Sequence, residues 1–239
     1  MSQSALGLCA LILVPALASI LALFLARSLA FARVLVGGLA AGRSVLAAVW
    51  MHRFGALYPA PSVDLPWIPA RGARIQLSAD PLGLALAALS GLLVCFAAFE
   101  NRGLLETSPR GASSALFLLL GALNGVFLSR DLLLFFFFWE LTLIPMLVLI
   151  GRGGGERRRY AAKLFFLFTM AGSALMLAGI VGLGLEGGTA GFGLDRLAAL
   201  GLDPGRQAFY FWLFFAALAV KFTVVPLHSW LPVAHVEAP

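Results

Sequence analysis

Long apolar runs, each about as long as a bilayer crossing, alternate with short polar segments along this chain. They fall at 5–26, 30–50, 82–99, 113–129, 132–150, 161–184 and 208–232. A helix needs about 20 apolar residues to cross the hydrocarbon core. Every backbone N–H and C=O in lipid must be bonded internally, which restricts spanning structures to helices and closed barrels. Apolar residues here are continuous rather than alternating, which excludes a barrel. The pattern predicts an all-α polytopic membrane protein with about seven transmembrane helices, the seventh broken by prolines. Residues 1–112 hold helices one to three with a long external loop, and 113–239 hold helices four to seven. The run from Ala5 to Ala26 has no Lys or Arg before it and the length of a full span, so it reads as a retained helix rather than a signal peptide.

Two connections are long. Met51 to Asp80 carries Pro59, Pro61, Pro66 and Pro69, and its Ile75–Ser78 segment alternates like a short strand. Leu185 to Gln207 places Leu194, Leu197 and Leu200 at three-residue spacing, which predicts a short interfacial helix. The glycine-rich Gly151–Gly155 lacks the Lys-Ser/Thr ending of a phosphate loop and reads as a turn.

Composition agrees with lipid as the solvent. Of 239 residues 61% are hydrophobic and 12% charged, against about 25% charged in soluble domains; the mean hydropathy is +0.97. The net charge of +6 sits mostly in short loops, so it reports orientation and not nucleic-acid binding. Arg27, Arg33, Arg102, Arg110, Arg152, Arg157, Arg158, Arg159 and Lys163 fall on one side; Arg53, Arg71, Arg74, Arg130, Arg196 and Arg206 fall on the other, mostly in longer loops. This predicts an external N-terminus and an internal Gly151–Arg159 loop. Cys9 and Cys95 lie inside apolar runs and read as packing residues, with neither disulfide nor metal implied.

Two charges interrupt the apolar runs. Glu140 is the ninth residue of its run and Lys221 lies near the middle of the seventh. A charge at that depth costs on the order of 2.5–3.5 kcal/mol, and such residues usually face a bundle interior and mark ion or proton paths. A pair that only joins two helices is the structural alternative. Pro145 and Pro226 each follow a charge by five residues. A helical proline deprives the carbonyl four residues back of its donor, so Leu141 and Phe222 are expected to have free carbonyls, and Pro232 to free His228. Broken helices of this kind form ion sites in transporters; kinking for packing alone is the alternative. Lys221, His228 and His235 are spaced by seven, which puts them on nearly one helical face as a proton relay; for His235 a solvated or capping position is the alternative. Lys163, Arg43 and His52 read as interfacial side chains that snorkel toward the headgroups.

These segments resemble a family. Asp131–Pro145, Ala161–Ser173 and Lys221–Pro239 are similar to the antiporter-like subunits of respiratory complex I, the proton-translocating NADH:quinone oxidoreductase. The ending from His228 through Trp230, Leu231, Pro232, His235 and Glu237 to Pro239 resembles the M type rather than the L or N types. The resemblance implies proton translocation driven by NADH oxidation and quinone reduction in other subunits, with no redox cofactor in this chain. It assigns Glu140 and Lys221 as the proton-site pair and Lys163, His228 and His235 as relay groups. Partners implied are other membrane subunits of the complex, including L- and N-type ones, in a bacterial inner membrane. Val233 stands where the family usually has aspartate. The family is about twice this length, so 113–239 corresponds to the first part of its bundle, and a split or truncated subunit is expected.

The implied mechanism is an electrostatic switch: a nearby ionised Glu140 holds the proton on Lys221, and moving the carboxylate away weakens that hold. His228, with an unperturbed pKa of about 6.5, suits a shuttle. Rival readings are a subunit of a cation/proton antiporter or membrane-bound hydrogenase, a non-pumping structural fragment, and a haem protein using His228 and His235. The last requires axial histidines from facing helices, for which only His52 is otherwise available.

Overall fold

The computed structural model describes residues 3–26, 28–54, 60–100, 105–106, 108–188 and 191–238. Arg27, Pro59 and Arg102 lie outside them. The elements are α1 (Gln3–Leu25), α2 (Leu29–Phe54), β1 (Ser62–Ile68), β2 (Ala73–Ser78), α3 (Pro81–Glu100), α4 (Pro109–Leu128), α5 (Leu132–Leu141), α6 (Leu143–Gly153), α7 (Arg158–Gly187), α8 (Leu194–Ala198), α9 (Pro204–Lys221) and α10 (Trp230–Glu237). Among the described residues six helical segments are long and apolar enough to cross a membrane: α1, α2, α3, α4, α5 with α6, and α7. The seventh predicted span differs. Its helix stops at Lys221, an irregular segment follows, and α10 starts at Trp230.

Packing centres on α4, the most enclosed of the six, with 67% of its most apolar stretch buried against 22% for α2. Small residues allow the close approaches that hold bundles together where the hydrophobic effect is absent. A Cβ on Gly121 of α4 would lie 3.2 Å from the Ile12 carbonyl of α1, and one on Gly172 of α7 would lie 3.0 Å from Val220 Cβ of α9.

Pro15 inside α1 removes the N–H that would bond the Leu11 carbonyl. Asn124 Nδ2 of α4 donates to that carbonyl at 3.0 Å, and Arg43 Nη2 of α2 donates to it as well. Arg43 is therefore not a snorkelled interfacial residue: it is buried at 8% exposure, drawn inward by an acceptor that the proline releases. Its Nε and Nη1 have no hydrogen-bond partner. His52 is exposed at the end of α2, where interfacial placement was expected.

The strand expected at Ile75–Ser78 lies within β2, which pairs antiparallel with β1 from Ser62↔Ser78 onward; the register shifts between Pro66 and Ile68. An Arg74–Asp64 ion pair ties the hairpin together. The short helix expected around Leu194 is α8, and it ends at Ala198, before Leu200. The Gly151–Arg159 turn is fastened by the other end of the described chain: Gly155 N–H donates to the Glu237 carbonyl at 2.9 Å, and Arg157 N–H donates to Glu237 Oε2 at 2.8 Å. A carboxylate at the start of α7 meets the positive end of that helix.

Candidate functional site

Asp131 fixes the start of α5. Its Oδ1 accepts from Leu133 and Leu134 N–H at 2.9 and 3.1 Å, which is N-capping of an apolar helix. Its Oδ2 accepts from Arg74 N–H of β2 at 3.1 Å, so one carboxylate joins hairpin and helix. Burial pushes this carboxyl above the ordinary carboxylate range, against the opposing pull of the Leu134, Arg74 and Leu133 N–H groups. The neighbouring backbone completes the anchorage: Arg130 N–H donates to Gln76 O at 2.8 Å and Leu132 N–H to Phe192 O at 2.9 Å. The sequence signal for this cap is the Asp131 carboxylate directly ahead of an apolar run.

From that anchor α5 runs nine residues to Glu140 and ends one residue later. Thr142 interrupts the helix three residues before Pro145. Its Oγ1 donates to Trp139 O at 2.7 Å, and its N–H is shared between Phe138 O and Trp139 O, each at 3.2 Å. Glu140 is half-buried, and its Oε1 is enclosed without a hydrogen-bond partner. The side chain lines a cavity of about 580 Å³ together with Trp67 of the hairpin, Phe136 and Phe137 of α5, Ile144 of α6 and Phe166 of α7.

Lys221 is the last residue of α9 and not, as the sequence suggested, near the middle of a continuous span. The helix closes by a hydrogen-bonding pattern in which Val224 N–H reaches Ala219 O at 2.9 Å and Thr223 N–H reaches Val220 O at 3.4 Å. Thr223 takes the left-handed conformation this closure needs, φ 58°, where glycine is the usual residue. The Trp230 indole N–H of α10 donates to Val220 O at 3.0 Å, satisfying a carbonyl beside Lys221. The Trp230 ring meets Phe165 of α7 edge-on, centroids 5.5 Å apart.

The Lys221 ammonium lies 4.9 Å from the Trp139 ring centroid and 5.9 Å from that of Phe165. Glu140, next to Trp139, acts on it electrostatically, yet among the described residues no ion pair within 4 Å joins the two. A cation at a helix C-terminus is also favoured by the helix dipole. The structure thus brings Glu140 and Lys221, each at a helix break, near enough to act on one another, with the Lys221 ammonium against aromatic rings.

The other predicted site residues are not gathered there. Lys163 is exposed in the second turn of α7, and His228 and His235 are exposed in the linking segment and in α10. The seven-residue stripe does not form, because Phe222–Ser229 is not helical and Lys221 and His235 sit on different helices. The His228 carbonyl is not free either: Leu231 N–H donates to it at 3.0 Å. Pro232 lies in the first turn of α10, where helical N–H groups have no intrahelical acceptor and a proline is tolerated. No group of three or more His, Cys, Asp or Glu that could hold a metal ion occurs among the described residues.

Comparison with known proteins gives a consistent picture. Residues 129–239 match the family described as NADH:quinone oxidoreductase/Mrp antiporter, transmembrane. The chain is 40% identical over 174 residues to NAD(P)H-quinone oxidoreductase chain 4 1 of Synechococcus sp. (strain JA-3-3Ab), covering 72% of this chain and 32% of that one. It is 37% identical over 185 residues to NADH-quinone oxidoreductase subunit M of Escherichia coli (strain K12), covering 74% and 36%. It therefore spans about a third of the length of these relatives. Among solved structures, a chain of respiratory complex I from Thermus thermophilus with bound NADH superposes with a TM-score of 0.79 at 31% identity, covering 97% of this chain and 47% of that one. The Mrp complex from Dietzia sp. DQ12-45-1b shares the fold at 23% identity, with a TM-score of 0.75 and coverage of 97% and 25%. Residues 129–239, which carry both helix breaks together with Glu140 and Lys221, match the NADH:quinone oxidoreductase/Mrp antiporter membrane family, and M-type subunits are among the chain's sequence relatives.

Proposed function

We propose that this chain is the proton-translocating part of an M-type membrane subunit of a complex I-like enzyme, with NADH oxidation and quinone reduction carried by other subunits. The observation that carries the reading is the meeting of two helix breaks. The Lys221 ammonium lies against the ring of Trp139, the residue beside Glu140. Among the described residues neither charge has a direct ionic partner, so each depends on its surroundings for its protonation state. Small movements at Thr142 or Phe222 change the distance between them, and with it the tendency of Lys221 to keep a proton.

In this reading Lys163, His228 and His235 pass protons between the pair and the aqueous sides. Partners are further membrane subunits, L- and N-type among them. The chain itself holds no redox cofactor. The setting is a bacterial inner membrane with the N-terminus outside and the Gly151–Arg159 turn inside. An Mrp-type cation/proton antiporter is the second reading, because the matched family description covers both; identification of co-purifying subunits separates the two.

The test is proton translocation by the assembled complex in proteoliposomes carrying Glu140→Gln or Lys221→Ala. Each is expected to lower protons moved per electron by at least several-fold while assembly persists. An unchanged stoichiometry in either variant rejects the scheme.

A further inference from the structure

Among the described residues no ion pair within 4 Å joins Lys221 to Glu140, so the charge its ammonium keeps in this arrangement depends on its other neighbours. Burying an ammonium without a partner is costly enough that the group would lose its proton. What faces it is aromatic: Trp139 at 4.9 Å and Phe165 at 5.9 Å from ring centroid to Nζ. Both distances are within the reach at which a ring face attracts a cation, and tryptophan is the strongest such partner. Both rings are packed against neighbours in this arrangement. Phe165 is buried and held by Trp230, whose N–H is bonded to the residue preceding Lys221. Trp139 packs with Phe135 at 5.6 Å in the cluster that joins α5 to α7 and α9.

Consecutive helical residues point about 100° apart. Trp139 is turned toward α7 and α9, while Glu140 lines the apolar cavity beside Phe137 and Ile144. A rotation of α5 about its axis, at the interruption Thr142 provides, would exchange one for the other against Lys221.

We infer that Trp139 and Phe165 form an aromatic seat that holds the charged Lys221 ammonium while Glu140 is turned into the cavity, making Trp139 a positioning residue for the proton step. This rests on the proposed proton-site role of Lys221. Of the titratable groups on the surrounding elements, Glu140 is the one that acts on Lys221; Lys163 on α7, His228 in the linking segment and His235 on α10 are exposed.

The experiment replaces Trp139 with a series of increasingly fluorinated tryptophans in the assembled complex. Fluorine drains negative potential from the ring face with little change of shape, so a merely structural role for the indole does not move the readout. That readout is the pH profile of proton translocation. Weakening the seat disfavours charged Lys221, so the alkaline limb is expected to move stepwise to lower pH, by about half to one unit across the series. A Lys221→Ala complex is measured in parallel. If Lys221→Ala abolishes translocation and the limb stays fixed through the series, the seat is wrong and the proton-site reading stands. If Lys221→Ala translocates normally, the reading beneath the seat is itself overturned.

Discussion

Asp131 serves three backbone N–H groups with one buried carboxylate. Burial disfavours its charge, so its contribution is greater as an acceptor than as an anion. Replacement by asparagine keeps an oxygen acceptor, whereas alanine leaves the donors of α5 and β2 uncapped. Asp131→Ala is expected to destabilise by roughly 1–2 kcal/mol and Asp131→Asn by clearly less, as measured by thermal unfolding in detergent; equal losses would show that the charge itself matters. The same pKa direction implies that the folded state disfavours ionised Asp131. Its contribution to stability therefore declines as pH rises through the carboxylate range and is level above it. Residue identity was legible in the sequence wherever it conflicted with its surroundings, as with Glu140 and Lys221. Arg43 conflicts equally, yet its own span does not show that it turns inward. The acceptor that brings it inward is a carbonyl released by Pro15 on another helix, and a pairing across helices leaves no local pattern.

At the scale of elements, the prolines place both breaks, one residue beyond each charge, but not the groups that close them. Proline removes a hydrogen bond one turn upstream; which residue then leaves the helix depends on what can receive the freed groups. In α5 this is Thr142, whose hydroxyl bonds back to Trp139. In α9 it is a closure at Thr223 together with the Trp230 indole, and that closure moved Lys221 from the middle of an expected span to a helix end. Thr223 is β-branched and left-handed, a conformation costing roughly 1–2 kcal/mol outside glycine. Thr223→Gly is therefore expected to raise the unfolding temperature by a few degrees without moving the break. A lowered temperature would mean that the threonine side chain contributes more than its strain removes.

Across the whole molecule, α4 lies between the N-terminal helices and the segment carrying Glu140, while the hairpin and α8 connections anchor the start of α5. The helical fold class and the apolar spans were readable because lipid imposes length and continuity on each crossing. The β1 strand and the relay geometry were not, because they depend on which distant segments meet. The chain contains two lysines, Lys163 and Lys221. Nitrogen-15 labelling of lysine in a Lys163→Arg background therefore gives a single ammonium signal, that of Lys221, which can be titrated in lipid nanodiscs. If Glu140 helps hold the proton on Lys221, its titration midpoint moves to lower pH when Glu140 is changed to Gln; a midpoint that does not move contradicts the coupling of the two charges.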